Sequence, residues 1–248
     1  MVALITGATA GIGQATARLL ADNGYDLILT GRRQNNLDEI EKELSAKVRV
    51  KTLCFDVRNR GDVEKALDSL DGDWKKVDVL INNAGNAHGM DFIQDGNVDD
   101  WDAMMDINVK GLLYVSRKII PGMVERKSGH IVNLGSIAGK EVYPKGNVYC
   151  ASKHAVDAIS KGMLIDLNGK GIKVTSINPG LVNTEFSAVR FKGDMEKANT
   201  TYKGMTPLYA EDIAEVILFA LSRPAHVNIS DLTIFPTDQG SSTVVNRE

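Results

Sequence analysis

Short apolar runs alternate along this chain with longer segments in which apolar positions recur every three or four residues. The runs at 2–5, 26–30, 48–55, 77–81, 130–134, 173–177 and 232–235 are rich in β-branched residues and apolar on both sides. That pattern belongs to strands buried on both faces of a parallel sheet. Helical period fills 13–23, 33–46, 60–70, 101–126, 149–168 and 211–222. Regular strand–helix alternation predicts one doubly wound α/β domain over residues 1–248 with a seven-stranded parallel sheet. Only the stretch from Pro179 to Thr206 resists periodic assignment. A long irregular insertion in a compact domain commonly closes over a bound molecule, so about 181–206 is predicted to be a lid or substrate loop.

Composition narrows the class. The chain is 43% hydrophobic and 25% charged with a net charge of −3, ordinary for a globular protein with a sizeable core. A net negative charge disfavours nucleic acid as the main partner, and no apolar run reaches the length of a membrane span. The first residues are too short and uncharged for a signal peptide. Two cysteines, Cys54 and Cys150, form neither a disulfide framework nor a ligand cluster, and a cytoplasmic location is expected. His88, His130, His154 and His226 lie scattered without ligand spacing, so no metal is expected.

Chemistry enters after the first strand. Thr6-Gly7-Ala8-Thr9-Ala10-Gly11-Ile12-Gly13 links that strand to the first helix. Glycines there let the backbone approach a pyrophosphate, and the helix N-terminus beyond presents unpaired N–H groups to it. A glycine-rich stretch is weak alone and strong in a strand–turn–helix context. Where an NAD site has an acidic residue for the ribose 2′-hydroxyl, this chain reads Thr30-Gly31-Arg32-Arg33. Two guanidiniums suit a 2′-phosphate, so NADP(H) is expected in preference to NAD(H), with one of the pair free to be a solvated residue opening a helix.

Further along, Tyr149 and Lys153 stand four apart within a helical segment, a spacing that puts both on one face. A free tyrosine is a poor acid or base at neutral pH, and reaching about 7 takes roughly 4 kcal/mol of differential stabilisation. A neighbouring ammonium out of bulk water is the expected source.

Together these residues resemble the short-chain dehydrogenase/reductase family, whose fold is a single Rossmann domain, and the resemblance spans nearly the whole chain. It carries roles onto matching positions. Asp56-Val57 would meet the adenine; Asn83, Ala84 and Gly85 would support the sheet beside the cofactor; Pro179, Gly180, Val182 and Thr184 would border the nicotinamide. Asn108, Ser136, Tyr149 and Lys153 match the catalytic residues. Asn108 would support a proton-relay water, Ser136 would hold the substrate oxygen, Tyr149 would be general acid/base, and Lys153 would also hydrogen-bond the nicotinamide ribose. The variable stretches 121–126, 184–193 and 224–229 look like those of NADP-dependent 3-hydroxy acid dehydrogenases. These act on serine, L-allo-threonine, 3-hydroxypropionate and related acids. A short hydroxy acid needs a cation for its carboxylate, and Arg190, Lys192 and Lys145 are candidates. The resemblance also implies a homotetramer packing 101–126 and 149–168. A broad carbonyl or 3-ketoacyl reductase and a non-catalytic NADP sensor are the competing readings. The sensor is disfavoured because both Tyr149 and Lys153 are present.

Overall fold

The computed structural model describes residues 1–248. Seven parallel strands stand in the order β3-β2-β1-β4-β5-β6-β7. They are β1 (Val2–Ile5), β2 (Asp26–Gly31), β3 (Val50–Cys54), β4 (Val77–Asn82), β5 (Gly129–Leu134), β6 (Ile172–Pro179) and β7 (Asp231–Ile234). Between them run α1 (Gly11–Asp22), α2 (Gln34–Leu44), α3 (Arg60–Asp68), α4 (Val98–Met105), α5 (Leu112–Arg126), α6 (Asn147–Asp166), α7 (Phe186–Arg190), α8 (Met195–Thr200) and α9 (Ala210–Leu221).

Because strand side chains alternate, the sheet feeds two separate cores. Ala3 and Ile5 on β1 and Leu27 and Leu29 on β2 pack with Leu20 of α1, Leu37 of α2 and Ile213 of α9 on one face. Val2, Leu4, Ile28 and Leu80 point to the other, where α3 and α5 supply Val63, Val115, Ile119 and Met123. Both faces are therefore covered, which is why the sequence shows continuous apolar runs and not alternation. The crossovers reverse direction between β1 and β4, which pair with Leu4 opposite Leu80. A crevice opens beyond the carboxyl ends of strands at such a switch point.

Two predicted elements differ in form. The expected helix over 101–126 begins three residues earlier and is interrupted. After α4 the chain makes a π-helical segment, Asp106–Gly111, before α5. One residue more than an α-helix needs is accommodated there, a departure common beside functional sites. Apolar periodicity continues on both sides of the bulge, so the sequence reads as one helix. The irregular stretch 179–206 holds two short helices, α7 and α8, too brief to show a period. The remaining boundaries shift by one or two residues.

Candidate active site

A cleft of about 520 Å³ lies over the switch point. The turn after β1 forms its floor. Gly7 and Gly11 have φ of 67° and 51°, conformations that cost a residue with a Cβ. Gly13 does not line the cleft but makes the turn possible: a Cβ there would sit 2.4 Å from both the Gly7 carbonyl oxygen and Asn83 Nδ2. Asn83 ties the turn to the end of β4, donating through Nδ2 to the carbonyls of Thr6 and Gly7 at 2.9 and 3.1 Å. Thr6 Oγ1 accepts from the Asn83 and Ala84 amides, each at 3.0 Å. Gly11 lies under Thr184, whose side chain would be 3.3 Å from an added Cβ. The glycines, Asn83, Ala84, Gly85, Pro179, Gly180, Val182 and Thr184 are thus gathered into one cradle.

At one end stand the two arginines. Arg33 donates to Thr9 Oγ1 at 3.1 Å and to the Thr9 carbonyl at 3.3 Å. It also reaches Glu185, at 3.0 Å, across the cleft. Arg32 is half exposed, its one carboxylate neighbour being Asp56 at 3.6 Å. The Asp56 carboxyl is held below its usual range: burial raises it, and hydrogen bonds and charge from Arg58 and Arg32 outweigh that. Val57 lies beneath Gly111, where a Cβ would come within 2.7 Å of its Cγ2. The sequence offered no sign that Glu185 would complete this end, since its partner stands 152 residues away.

The other end is polar but closed in. Ser136 follows β5 in an extended conformation (φ −175°), and its Oγ accepts from the Ala138 amide at 3.1 Å, capping the single 3₁₀ turn Ile137–Gly139. Tyr149 and Lys153, one turn apart on α6, are both buried. Lys153 Nζ donates to the Leu134 carbonyl at 2.8 Å, and burial lowers its pKa to about 8. Burial raises Tyr149 well above the usual phenol value, assisted by the charge of Tyr143; Ser136 and Arg190 pull it back. This corrects the sequence expectation. The groups that favour the phenolate are Ser136 and Arg190, while Lys153 is turned to a backbone carbonyl.

Asn108 sits in the π-helical segment, outside the cleft wall. Its Nδ2 donates to the Asn86 carbonyl at 2.9 Å and to Ser152 Oγ at 3.0 Å, and its Oδ1 accepts from the Asn86 amide at 2.9 Å. It reaches the site past Gly85: a Cβ there would lie 2.9 Å from Asn108 Oδ1 and 3.6 Å from Lys153 Nζ. Only a residue without a side chain leaves this passage open.

Of the three candidate cations, Arg190 is the one aimed inward. It ends α7, donates Nε to the Gly89 carbonyl at 3.3 Å and Nη1 to Tyr143 Oη at 3.0 Å. Its guanidinium carbon lies 5.5 Å from the centroid of the Tyr149 ring. Nη2 is buried and has no partner, a costly state for a donor. Lys145 lines the same recess but lies over the Phe92 ring, 4.7 Å from its centroid. Lys192 is drawn away into an ion pair with Asp100 at 2.8 Å. Phe186, which the sequence reading did not single out, packs its ring 5.6 Å from that of Tyr149; Tyr143 and His88 were likewise missed. No spacing rule brings residues 88, 143 and 186 to residue 149.

The family model for short chain dehydrogenases matches residues 1–194. The NADP-dependent 3-hydroxy acid dehydrogenase YdfG of Salmonella typhi is 48% identical over 240 residues, 96% of each chain. Sulfoacetaldehyde reductase 2 of Chromohalobacter salexigens is 44% identical over 249 residues, covering 100% of this chain and 99% of that one. A solved closed form of serine dehydrogenase complexed with NADP+ superposes with a TM-score of 0.94 at 46% identity over 100% of both chains.

Proposed function

This chain belongs to the short chain dehydrogenase family, and on that premise we propose that it interconverts short 3-hydroxy acids and their 3-oxo forms. It is an NADP-dependent oxidoreductase acting on CH–OH groups. The finer reading names serine, L-allo-threonine and 3-hydroxypropionate as substrates.

The cleft suits a dinucleotide phosphate. Its glycine turn leaves no room for side chains where a pyrophosphate would lie, and Arg32 and Arg33 offer guanidiniums at the end where a 2′-phosphate would sit. When bound, the cofactor supplies or accepts the hydride. The protein moves the proton. Tyr149 gives it to the substrate oxygen in reduction and takes it in oxidation. Ser136 donates to the same oxygen as negative charge grows there, a preorganised group that need not rearrange. Lys153, with a pKa near 8, can switch charge close to neutral pH and would turn from the Leu134 carbonyl towards the ribose and Tyr149. Asn108, through the gap at Gly85, supports the water that refills the proton.

The observation that carries the substrate class is the unpartnered Arg190 Nη2, buried beside Tyr149. An anionic group on a small substrate would satisfy it with a charge-assisted bond. Segment 181–206 carries Arg190 and is read as the lid. A cytoplasmic homotetramer belongs to the same reading.

The test is a panel of L-serine, L-allo-threonine, 3-hydroxypropionate, sulfoacetaldehyde and a neutral ketone with each cofactor. Hydroxy-acid oxidation with NADP+ is expected, and Arg190→Ala should raise the KM of the anionic compounds about 10- to 100-fold while sparing the ketone. Strong activity confined to the ketone would overturn the reading in favour of a general carbonyl reductase. Preference for the sulfonate would keep the anion site and change the substrate.

A further inference from the structure

The turn that carries Ser136 is fastened at its far end by a charge cluster separate from the cleft. Lys140, the residue after the 3₁₀ turn, donates to Asp157 Oδ1 at 2.5 Å and to Asp231 Oδ2 at 2.6 Å. Asp157 stands one helical turn beyond Lys153 on α6, and Asp231 opens β7. Asp157 also accepts from Lys161 at 2.6 Å, so two lysines balance two aspartates. Lys140 and Asp157 side chains are only 24% and 14% exposed, so water screens this contact far less than a typical surface pair.

Asp231 connects the cluster to the near side of Ser136. It accepts from Asn178 Nδ2 at 3.1 Å, and Asn178 is fully buried. Asn178 Oδ1 presses on Gly135 so closely that a Cβ there would be 2.1 Å away. On the other side, a Cβ on Gly139 would lie 2.6 Å from the Lys153 carbonyl oxygen. Ser136 is thus gripped from both directions. Asn178 bears on the residue before it, and the turn after it lies on the backbone of α6 and is bolted there by Lys140.

We propose that Lys140 is a positioning residue for the reaction: bridging Asp157 and Asp231, it sets the Ser136 hydroxyl relative to Tyr149. This rests on the reading of Ser136 as the group that holds the substrate oxygen. A group that must sit within hydrogen-bond reach of a reacting atom is sensitive to displacement, and a shift of 1 Å can cost about 100-fold. No part of the cluster borders the cleft, so its effect should fall on turnover and not on cofactor affinity.

Lys140→Met, Lys140→Arg, Ser136→Ala and the double variant Lys140→Met/Ser136→Ala form the test, with kcat, KM for substrate and cofactor, and Tm measured for each. Lys140→Met should lower kcat by about 10- to 100-fold and leave the NADP(H) KM within about twofold. In the Ser136→Ala background the same change should cost less than about twofold, because a residue acting through Ser136 has nothing left to place. Lys140→Arg should restore most of the turnover. Should Lys140→Met fold poorly, Asp231→Asn keeps the Asp157 contact and must show the same dependence on Ser136. Equal losses in both backgrounds, or none with Ser136 present, would overturn the proposal. A Ser136→Ala variant with full activity would overturn the reading of Ser136 itself, and the proposal with it.

Discussion

At the level of single residues, cofactor choice rests on unequal partners. Arg33 is already engaged by Thr9 and Glu185, whereas Arg32 has one distant carboxylate. Arg32→Ala is therefore expected to raise the KM for NADPH about 10- to 100-fold, the worth of one or two charge-assisted bonds, while NADH is little affected. Arg33→Ala should perturb both cofactors, because it also releases Thr9 and Glu185. Equal effects of Arg32→Ala on the two cofactors would sink the phosphate assignment. These two residues were legible in the sequence because they stand at a fixed offset from the glycine turn. Their different environments were not, since Glu185 and Asp56 arrive from distant segments. The same limit explains Tyr149. Its spacing to Lys153 is local and readable, but the burial that raises its pKa, and the Tyr143, Ser136 and Arg190 side chains that adjust it, are properties of packing.

At the level of elements, the π-helical segment is the feature with the clearest consequence. It holds one residue beyond the α-helical count, and Asn108 lies within it. Removing exposed Lys110 should let the segment relax to α-helix while α4 and α5 keep their phase. Circular dichroism should then remain close to native, while turnover falls by about 100-fold as Asn108 swings off its partners Asn86 and Ser152. Unchanged turnover would show that the bulge does not aim Asn108. Periodicity could not reveal the bulge, because α5 buries Val115, Ile119 and Met123 with ordinary helical spacing. The strands, by contrast, were readable to within two residues. The central strands, such as β1 and β2, are buried on both faces and read as continuous apolar runs, while β3 and β7 at the sheet edges are only partly buried and are legible from their place in the alternation. Segment 179–206 remained opaque because its helices are too short to show a period and it is held by contacts to distant residues, such as Glu185 to Arg33 and Arg190 to Gly89 and Tyr143.

At the level of the whole molecule, acid stability should depend on one buried histidine. His130 on β5 contacts Thr175 on β6 through Nε2 at 2.8 Å, and the Thr175 hydroxyl donates to the Ile229 carbonyl at 2.7 Å. Thr175 thus accepts from Nε2–H, leaving Nδ1 buried without a partner. Burial lowers the His130 pKa from 6.5 to about 3. Between those values the unfolded chain binds a proton that the folded chain refuses, so stability is lost as pH falls from about 6.5 towards 3, by up to about 1.4 kcal/mol per pH unit. Urea midpoints of wild type and His130→Gln measured from pH 7 to pH 5 should converge as the acid-sensitive group is removed. Parallel curves would assign the acid limb to other groups. That this histidine is buried could be read only from the fold, although its place in a predicted strand was plain.

The strand order also governs how the chain reaches its folded state. β1 must pair with β4 from far along the chain, as Thr6 Oγ1 does with the Ile81 carbonyl at a sequence separation of 75, and such distant pairings are slow to close. The β3-β2-β1 half uses residues up to Cys54, whereas the other half of the sheet extends to Ile234. The cleft straddles their junction, so neither half alone offers a complete dinucleotide site. Cofactor therefore recognises only chains in which both halves have docked, and by mass action it draws the population towards them. A cell rich in the dinucleotide would thereby hold fewer copies of this protein in the undocked state that proteases attack.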